Sequence, residues 1–298
     1  MDNDFIKTAN KVSLVSIIGN LLLAVFKLLA GIFANSSAMI SDAVHSASDV
    51  FSTFVVIIGI KLSSKEPDKE HPYGHERLEC VAAMILAIIL FLTGLGIFYS
   101  ALKNIINGSY NSITVPGVLA LVAAIVSIIV KELMYWYTRY NAKKIDSSAL
   151  MADAWHHRSD ALSSIGALIG IFFSRIGFPI ADSIASIVIF IFIVKAAIDI
   201  FIDATNKVVD HSCSEEFEKE VYDYVINYKD VKDIDLLRTR LFGSKIYIDL
   251  EICLDSKLTL KEAHDIAEAL HDDLENKYNN VKHVMVHVNP ISKKDVRK

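Results

Sequence analysis

Along this chain the apolar residues gather into long blocks over the first two thirds and then break into short periodic runs. A helix needs roughly 20 apolar residues to cross about 30 Å of hydrocarbon. Six windows of that size occur, near Val12–Ala34, Ala38–Leu62, Leu78–Ile105, Thr114–Tyr137, Ser148–Phe173 and Pro179–Ile200. They predict a polytopic α-helical membrane protein with six transmembrane helices. The first window is longer than the apolar core of a signal peptide and a second follows at once, so it reads as a retained span. From about Ala204 the pattern changes. Ser214–Tyr228 and Thr259–Tyr278 have helical period, whereas Val231–Leu241, Lys245–Leu254 and Val281–Val288 alternate as strands, with Gly243 and Ser244 in a hairpin turn.

The predicted division is therefore a membrane domain over 1–203 and a cytoplasmic α/β domain over 204–298. Its order of helix, hairpin, helix and strand is that of half or more of a ferredoxin-like, metallochaperone-like sandwich. The polar tail reads as a dimerisation module or as a metal sensor. Basic residues orient the spans. Lys7 and Lys11 precede the first, Lys61, Lys65, Lys69 and Arg77 flank the loop after the second, and Arg139, Lys143 and Lys144 follow the fourth. Both termini should be cytoplasmic, in a multi-pass protein of the cell membrane surrounded by lipid bilayer.

Composition agrees: 53% of the 298 residues are hydrophobic, yet 22% are charged, so polar groups must be concentrated somewhere. A net charge of −5 without a basic patch argues against nucleic acid as a partner. Cys80, Cys213 and Cys253 lie far apart, form no CxxC and are odd in number, so they suggest neither a disulfide framework nor a thiolate zinc site.

The chemistry lies in a repeated octapeptide. Asp42-Ala43-Val44-His45-Ser46-Ala47-Ser48-Asp49 recurs as Asp153-Ala154-Trp155-His156-His157-Arg158-Ser159-Asp160, each copy preceded by a Ser-Ala pair. Residues i and i+4 share a helix face. His45 and Asp49 on one span, facing His156 and Asp160 on another, would supply two imidazoles and two carboxylates in a tetrahedral set. Such a set suits zinc, with cobalt, cadmium and iron as competitors. Ionisable groups at the centre of a span cost about 2.5–3.5 kcal/mol each, so four in this arrangement point to function rather than to packing. Asp42 and Asp153, one turn earlier, could hold the imidazoles as outer acceptors, line an access or proton path, or sit near the interface. His157 and Arg158 point around the helix away from the His156 face and could lie at the interface. In the loop after the second span, Asp68, His71 and His75 could share one divalent ion, with Pro72 and Gly74 making the turn.

Taken together, the six spans, the two H-x-x-x-D pairs, the loop His71-Pro72-Tyr73-Gly74-His75 followed by Arg77 and Glu79, and the polar tail resemble the cation diffusion facilitator family of proton-coupled divalent-metal exporters. The resemblance implies a homodimer that moves divalent metal out of the cytoplasm, with protons as counter-ion and one transported ion per protomer at His45, Asp49, His156 and Asp160. It also implies the loop site at Asp68, His71 and His75, and a charge interlock of Arg77 with Asp210. In the tail it implies regulatory metal at Asp235, Glu251, His264, His287 and the position of Asn289, of which two are imidazoles and one an amide. Zn2+ is the expected cargo, with Cd2+, Co2+ and Fe2+ as possible ones. Alternatives are a manganese- or iron-preferring exporter of the same family, a membrane-bound metalloenzyme, which would want an open coordination position and a separate base, and a metal sensor. The expected activity is transport, not catalysis.

Overall fold

The computed structural model describes residues 3–33, 37–108, 118–175 and 180–291. Some helical side chains within these ranges, those of Asp42 and His45 among them, lie outside the described residues, as do Thr114 and Pro179, where two of the spans were expected to begin. The chain divides into two compact units, Met1–Thr205 and Asn206–Lys298.

Six long helices come first among the described residues, the last running just past the limit of the first unit: α1 (Asn3–Phe33), α2 (Ser37–Ser63), α3 (Arg77–Asn107), α4 (Val118–Lys144), α5 (Ser148–Arg175) and α6 (Ala181–Val208). Several outlast their apolar windows. α1 begins nine residues before Val12 because Phe5, Ala9 and Val12 already form a buried stripe at helical spacing, and a hydropathy window does not register so short a stripe. α4 likewise continues past Tyr137, with Thr138 and Ala142 buried. By length and composition, two described segments, Phe5–Ala30 and Arg77–Asn107, are long and apolar enough to cross a membrane. Polar side chains such as Asp49, Lys131 and Asp160 lie within three of the other helices.

Those polar groups point inward. Ser13, Ser16, Asn20 and Lys27 of α1, Ser46, Asp49 and Thr53 of α2, Ser127 and Lys131 of α4, and Asp153, His156, His157 and Asp160 of α5 are all buried. Leu22, Phe33, Leu133 and Phe192 are instead turned outward. An apolar exterior around a polar interior is the reverse of a water-soluble core and suits lipid surroundings. α1 packs along α2, α4 along α5, and α3 against both α2 and α5. A Cβ added to Gly59 of α2 would come within 2.3 Å of the Ala82 Cβ of α3, so glycine is what permits that approach. Gly108 closes α3 in the left-handed region at φ 63°.

The second unit contains α7 (Glu215–Ile226), β1 (Asp233–Phe242), β2 (Lys245–Asp255), α8 (Leu260–Lys277) and β3 (Val281–Ile291). Ser214 caps α7 by accepting the Phe217 N–H at 3.3 Å, and Thr259 with Glu262 forms a capping box at the start of α8. Gly243, at φ 63°, makes the two-residue turn of an antiparallel β1–β2 hairpin. α8 carries the chain across to β3, which lies parallel to β2, giving the sheet order β1-β2-β3. Val221, Val225, Ile248, Leu250, Ile252, Leu270, Leu274 and Val284 form its core. The expected elements are all present among the described residues. The sheet has three strands, fewer than a complete ferredoxin-like sandwich.

Candidate metal centre

Helical spacing brings one copy of the repeat against the other where α2 meets α5. Asp49, His156 and Asp160 are all buried, and their ligand atoms lie within 4.8 Å of one another. His156 Nε2 is 3.5 Å from Asp49 Oδ1 and 4.0 Å from Asp160 Oδ2. The side chain of His45, the expected fourth ligand, is outside the described residues.

A residue that sequence reasoning missed completes the cluster. Lys131 of α4 is 1% exposed, and its Nζ donates to Asp49 Oδ2 at 2.6 Å and to Asp160 Oδ2 at 2.7 Å. Two carboxylates so close together repel, and the ammonium neutralises that repulsion and links α4, α2 and α5. The signal was present in the sequence: a lysine in the second half of an apolar window, with Glu132 next to it pointing elsewhere on the helix, calls for a buried anion as partner. Lys27 of α1, also buried, donates to Ser46 Oγ at 2.9 Å inside the first repeat.

Asp153 serves the adjacent imidazole instead of His156. Its Oδ2 is 3.5 Å from His157 Nε2, its Oδ1 accepts from Thr53 of α2 at 3.4 Å, and His157 Nε2 also meets Ser16 Oγ of α1 at 3.1 Å. The reading of His157 as turned away from the His156 face stands, but its place is in the bundle interior, where it is fully buried. Arg158 lies 4.4 Å from the centroid of the Tyr135 ring and pairs with Glu132 at 3.3 Å.

The loop trio also converges. Asp68, His71 and His75 offer ligand atoms within 4.8 Å of one another. Asp68 Oδ1 accepts the backbone N–H of His71 at 2.7 Å and of Glu70 at 2.9 Å, which shapes the turn. These N–H groups, that of His71 foremost, hold the Asp68 carboxyl below its ordinary range. His75 Nε2 is 3.4 Å from Asp68 Oδ2, and Gly74 takes φ 101°. His75 is buried while Asp68 and His71 face outward, so the site opens on one side.

The expected tail ligands do not all gather within one chain. The Asn289 amide donates to Asp235 at 2.8 Å and to Glu251 at 3.2 Å, and His287 pairs in register with Glu251. His264 stands exposed on α8, 3.7 Å from Glu268, and lines a groove that Asn289 also lines. Arg77 opens α3 in the first unit; Asp210 follows α6 in the second, at φ 60°.

Residues 13–207 match the family described as cation efflux transmembrane domain. Residues 213–291 match the cytoplasmic domain of cation efflux proteins. The chain belongs to the cation diffusion facilitator family. It is therefore a membrane transporter of divalent metal cations and not an enzyme. An uncharacterized transporter of Methanocaldococcus jannaschii is 36% identical over 95% of this chain and 98% of its own length. The manganese efflux system protein MneP of Bacillus subtilis is 32% identical over 95% of this chain and 96% of its own. A nickel form of a MamM C-terminal domain aligns with 26% of this chain and 100% of its own, at 22% identity and a TM-score of 0.26.

Proposed function

We propose that this family member exports Zn2+ from the cytoplasm in exchange for protons, through an intramembrane site formed by His45, Asp49, His156 and Asp160. One observation carries the reading: a buried carboxylate of α2 and a buried carboxylate and imidazole of α5 converge on a point where a cation, the Lys131 ammonium, is already held. Two nitrogens with two oxygens favour zinc over manganese, which prefers a harder, oxygen-rich set.

The lysine gives the mechanism a definite first step. A dication about 3.5 Å from an ammonium is repelled by roughly 9 kcal/mol at an effective dielectric of 20. The cargo can therefore bind only as Lys131 swings off the carboxylates, and Lys131 returns when the cargo leaves. The buried carboxylates thus have a cation beside them at every stage of the cycle, which keeps the cost of their burial low. Imidazole changes charge near neutral pH, so His45 and His156 are the groups at which protons would compete with metal from the outer side.

On this reading all six helices span the cell membrane, with both termini cytoplasmic, and two chains pair through the tail. Asp68, His71 and His75 hold a second ion near the cytoplasmic face. Asp42 and Asp153 support or lead to the site, Asp153 by way of His157. His264, His287, Asp235 and Glu251 would be drawn into shared metal sites only where two tails meet.

The likeness to MneP favours one second reading, a manganese-preferring exporter on the same residues. Metal accumulation in inverted vesicles, with zinc and manganese offered separately and with or without a pH gradient, separates the two. Zinc uptake that collapses with the gradient supports the first reading. Gradient-driven manganese uptake without zinc uptake supports the second, and uptake indifferent to the gradient removes proton exchange from both.

A further inference from the structure

On α8, His271 and Glu275 stand one helical turn apart on the same face, and β3 brings His283 up beside them. His271 Nε2 lies 3.2 Å from Glu275 Oε1, and His283 Nδ1 lies 3.3 Å from that same oxygen. The three ligand atoms lie within 4.8 Å of one another. A tetrahedral zinc ion with ligand bonds of about 2.0–2.1 Å separates its ligands by about 3.3 Å, so the spacing suits an ion in contact with all three.

Two of the ligands are held in place by a single backbone unit. β3 is an edge strand of the sheet. There the Val284 carbonyl accepts from His271 Nδ1 at 2.5 Å, and the Val284 N–H donates to Glu275 Oε1 at 3.1 Å. Donation from Nδ1 fixes the tautomer that turns the Nε2 lone pair of a neutral imidazole toward the carboxylate. A proton or a metal ion can fill the space between Nε2 and the carboxylate, and such outer hydrogen bonds are how metal-binding imidazoles are oriented. Val284 is itself buried in the tail core, which makes the clamp rigid. The rings of His271 and His283 are tilted by 73° with centroids 5.4 Å apart, so they approach the shared oxygen from different directions.

We infer that His271, Glu275 and His283 form a divalent-metal site of the tail, suited to zinc or another late first-row cation. It is separate from the residues named for transport and from His264 and His287. With the three side chains between about a quarter and a half exposed, a fourth position stays open to water or to Asp272, whose Oδ1 is 4.0 Å from His271 Nε2. Binding there would fasten the C-terminal half of α8 to β3. The set is encoded within 13 residues and is complete in one protomer, so it needs no partner chain.

The test is zinc protection of individual histidines in the full-length protein in detergent. Carbethoxylation by diethylpyrocarbonate is read by mass spectrometry for each peptide, with His211, exposed and outside every proposed site, as the reference. At free Zn2+ about ten times the dissociation constant, His271 and His283 should react about tenfold more slowly, both with the same zinc dependence. His211 should not change. In Glu275→Gln the amide oxygen can still accept from Val284 while the anionic ligand is gone, and protection should then require at least about tenfold more zinc. Absence of protection in the wild type, or protection unchanged in Glu275→Gln, overturns the inference. The readout is independent of transport, so either proposal can fail while the other stands.

Discussion

Replacing Lys131 with methionine removes one charge and keeps the length of the side chain. In the metal-free protein it deletes the donor 2.6 Å from Asp49 and 2.7 Å from Asp160, leaving two buried carboxylates without that counter-ion. Removing one partner from a buried ion pair costs roughly 3–5 kcal/mol. In the metal-bound protein the cargo neutralises the same carboxylates and Lys131 has already moved aside, so the substitution should cost little. The difference between the two states appears as affinity. At 1.4 kcal/mol per factor of ten, Lys131→Met should bind zinc roughly 10²-fold to several thousand-fold more tightly than the wild type. It should also unfold at lower temperature without zinc and recover when zinc is added, while Lys131→Arg stays near the wild type. Equilibrium zinc binding and thermal unfolding in detergent read both effects. Unchanged or weaker affinity in Lys131→Met, in a protein that remains folded, would refute the displacement step. Turnover should fall even as affinity rises, because the returning ammonium no longer helps to expel the ion.

Other expectations follow from geometry elsewhere. Gly59→Val should force α2 and α3 apart at Ala82 and cost about 1–3 kcal/mol, measured as a lower unfolding temperature, whereas the same change at Gly96, where an added Cβ meets nothing within 4 Å, should be much milder. Thr259→Ala breaks the capping box and should destabilise the tail by about 1 kcal/mol in denaturant melts. The Tyr228 hydroxyl donates to Asp273 at 2.6 Å, and that bond, foremost, pushes its pKa up to about 12. Because the folded value lies above the ordinary one of 10.0, the stabilisation is complete below about pH 10 and is lost as pH rises through about 12. Tyr228→Phe should remove that alkaline loss, with tail unfolding against pH as the measurement.

The membrane half was legible because lipid-facing helices must be apolar over a fixed length, and the repeat was legible because i and i+4 share a face. Helix ends were not, since Phe5 and Ala9 continue the buried stripe of α1 among polar neighbours that dilute the apolar signal. The tail strands emerged within three residues of their limits, and Gly243 marked the turn between the first two. Asp49 and Asp160 could be paired from spacing, but Lys131, 29 residues from one and 82 from the other, has no motif that ties it to them. Only the cost of burying its charge pointed to a partner. The His271, Glu275 and His283 set escaped for a related reason: the strand that brings His283 to the helix pair also supplies the backbone clamp at Val284, and sequence spacing does not encode that juxtaposition.

The central claim is that cargo and protons exchange at the buried cluster. Proteoliposomes loaded with a pH indicator test it directly, with zinc added on one side and proton movement recorded for the wild type, Asp160→Ala and His45→Ala. The account predicts zinc-dependent proton flux in the wild type and none in either variant, with both variants still running as dimers in size-exclusion chromatography. Flux that persists unchanged in either variant would contradict it.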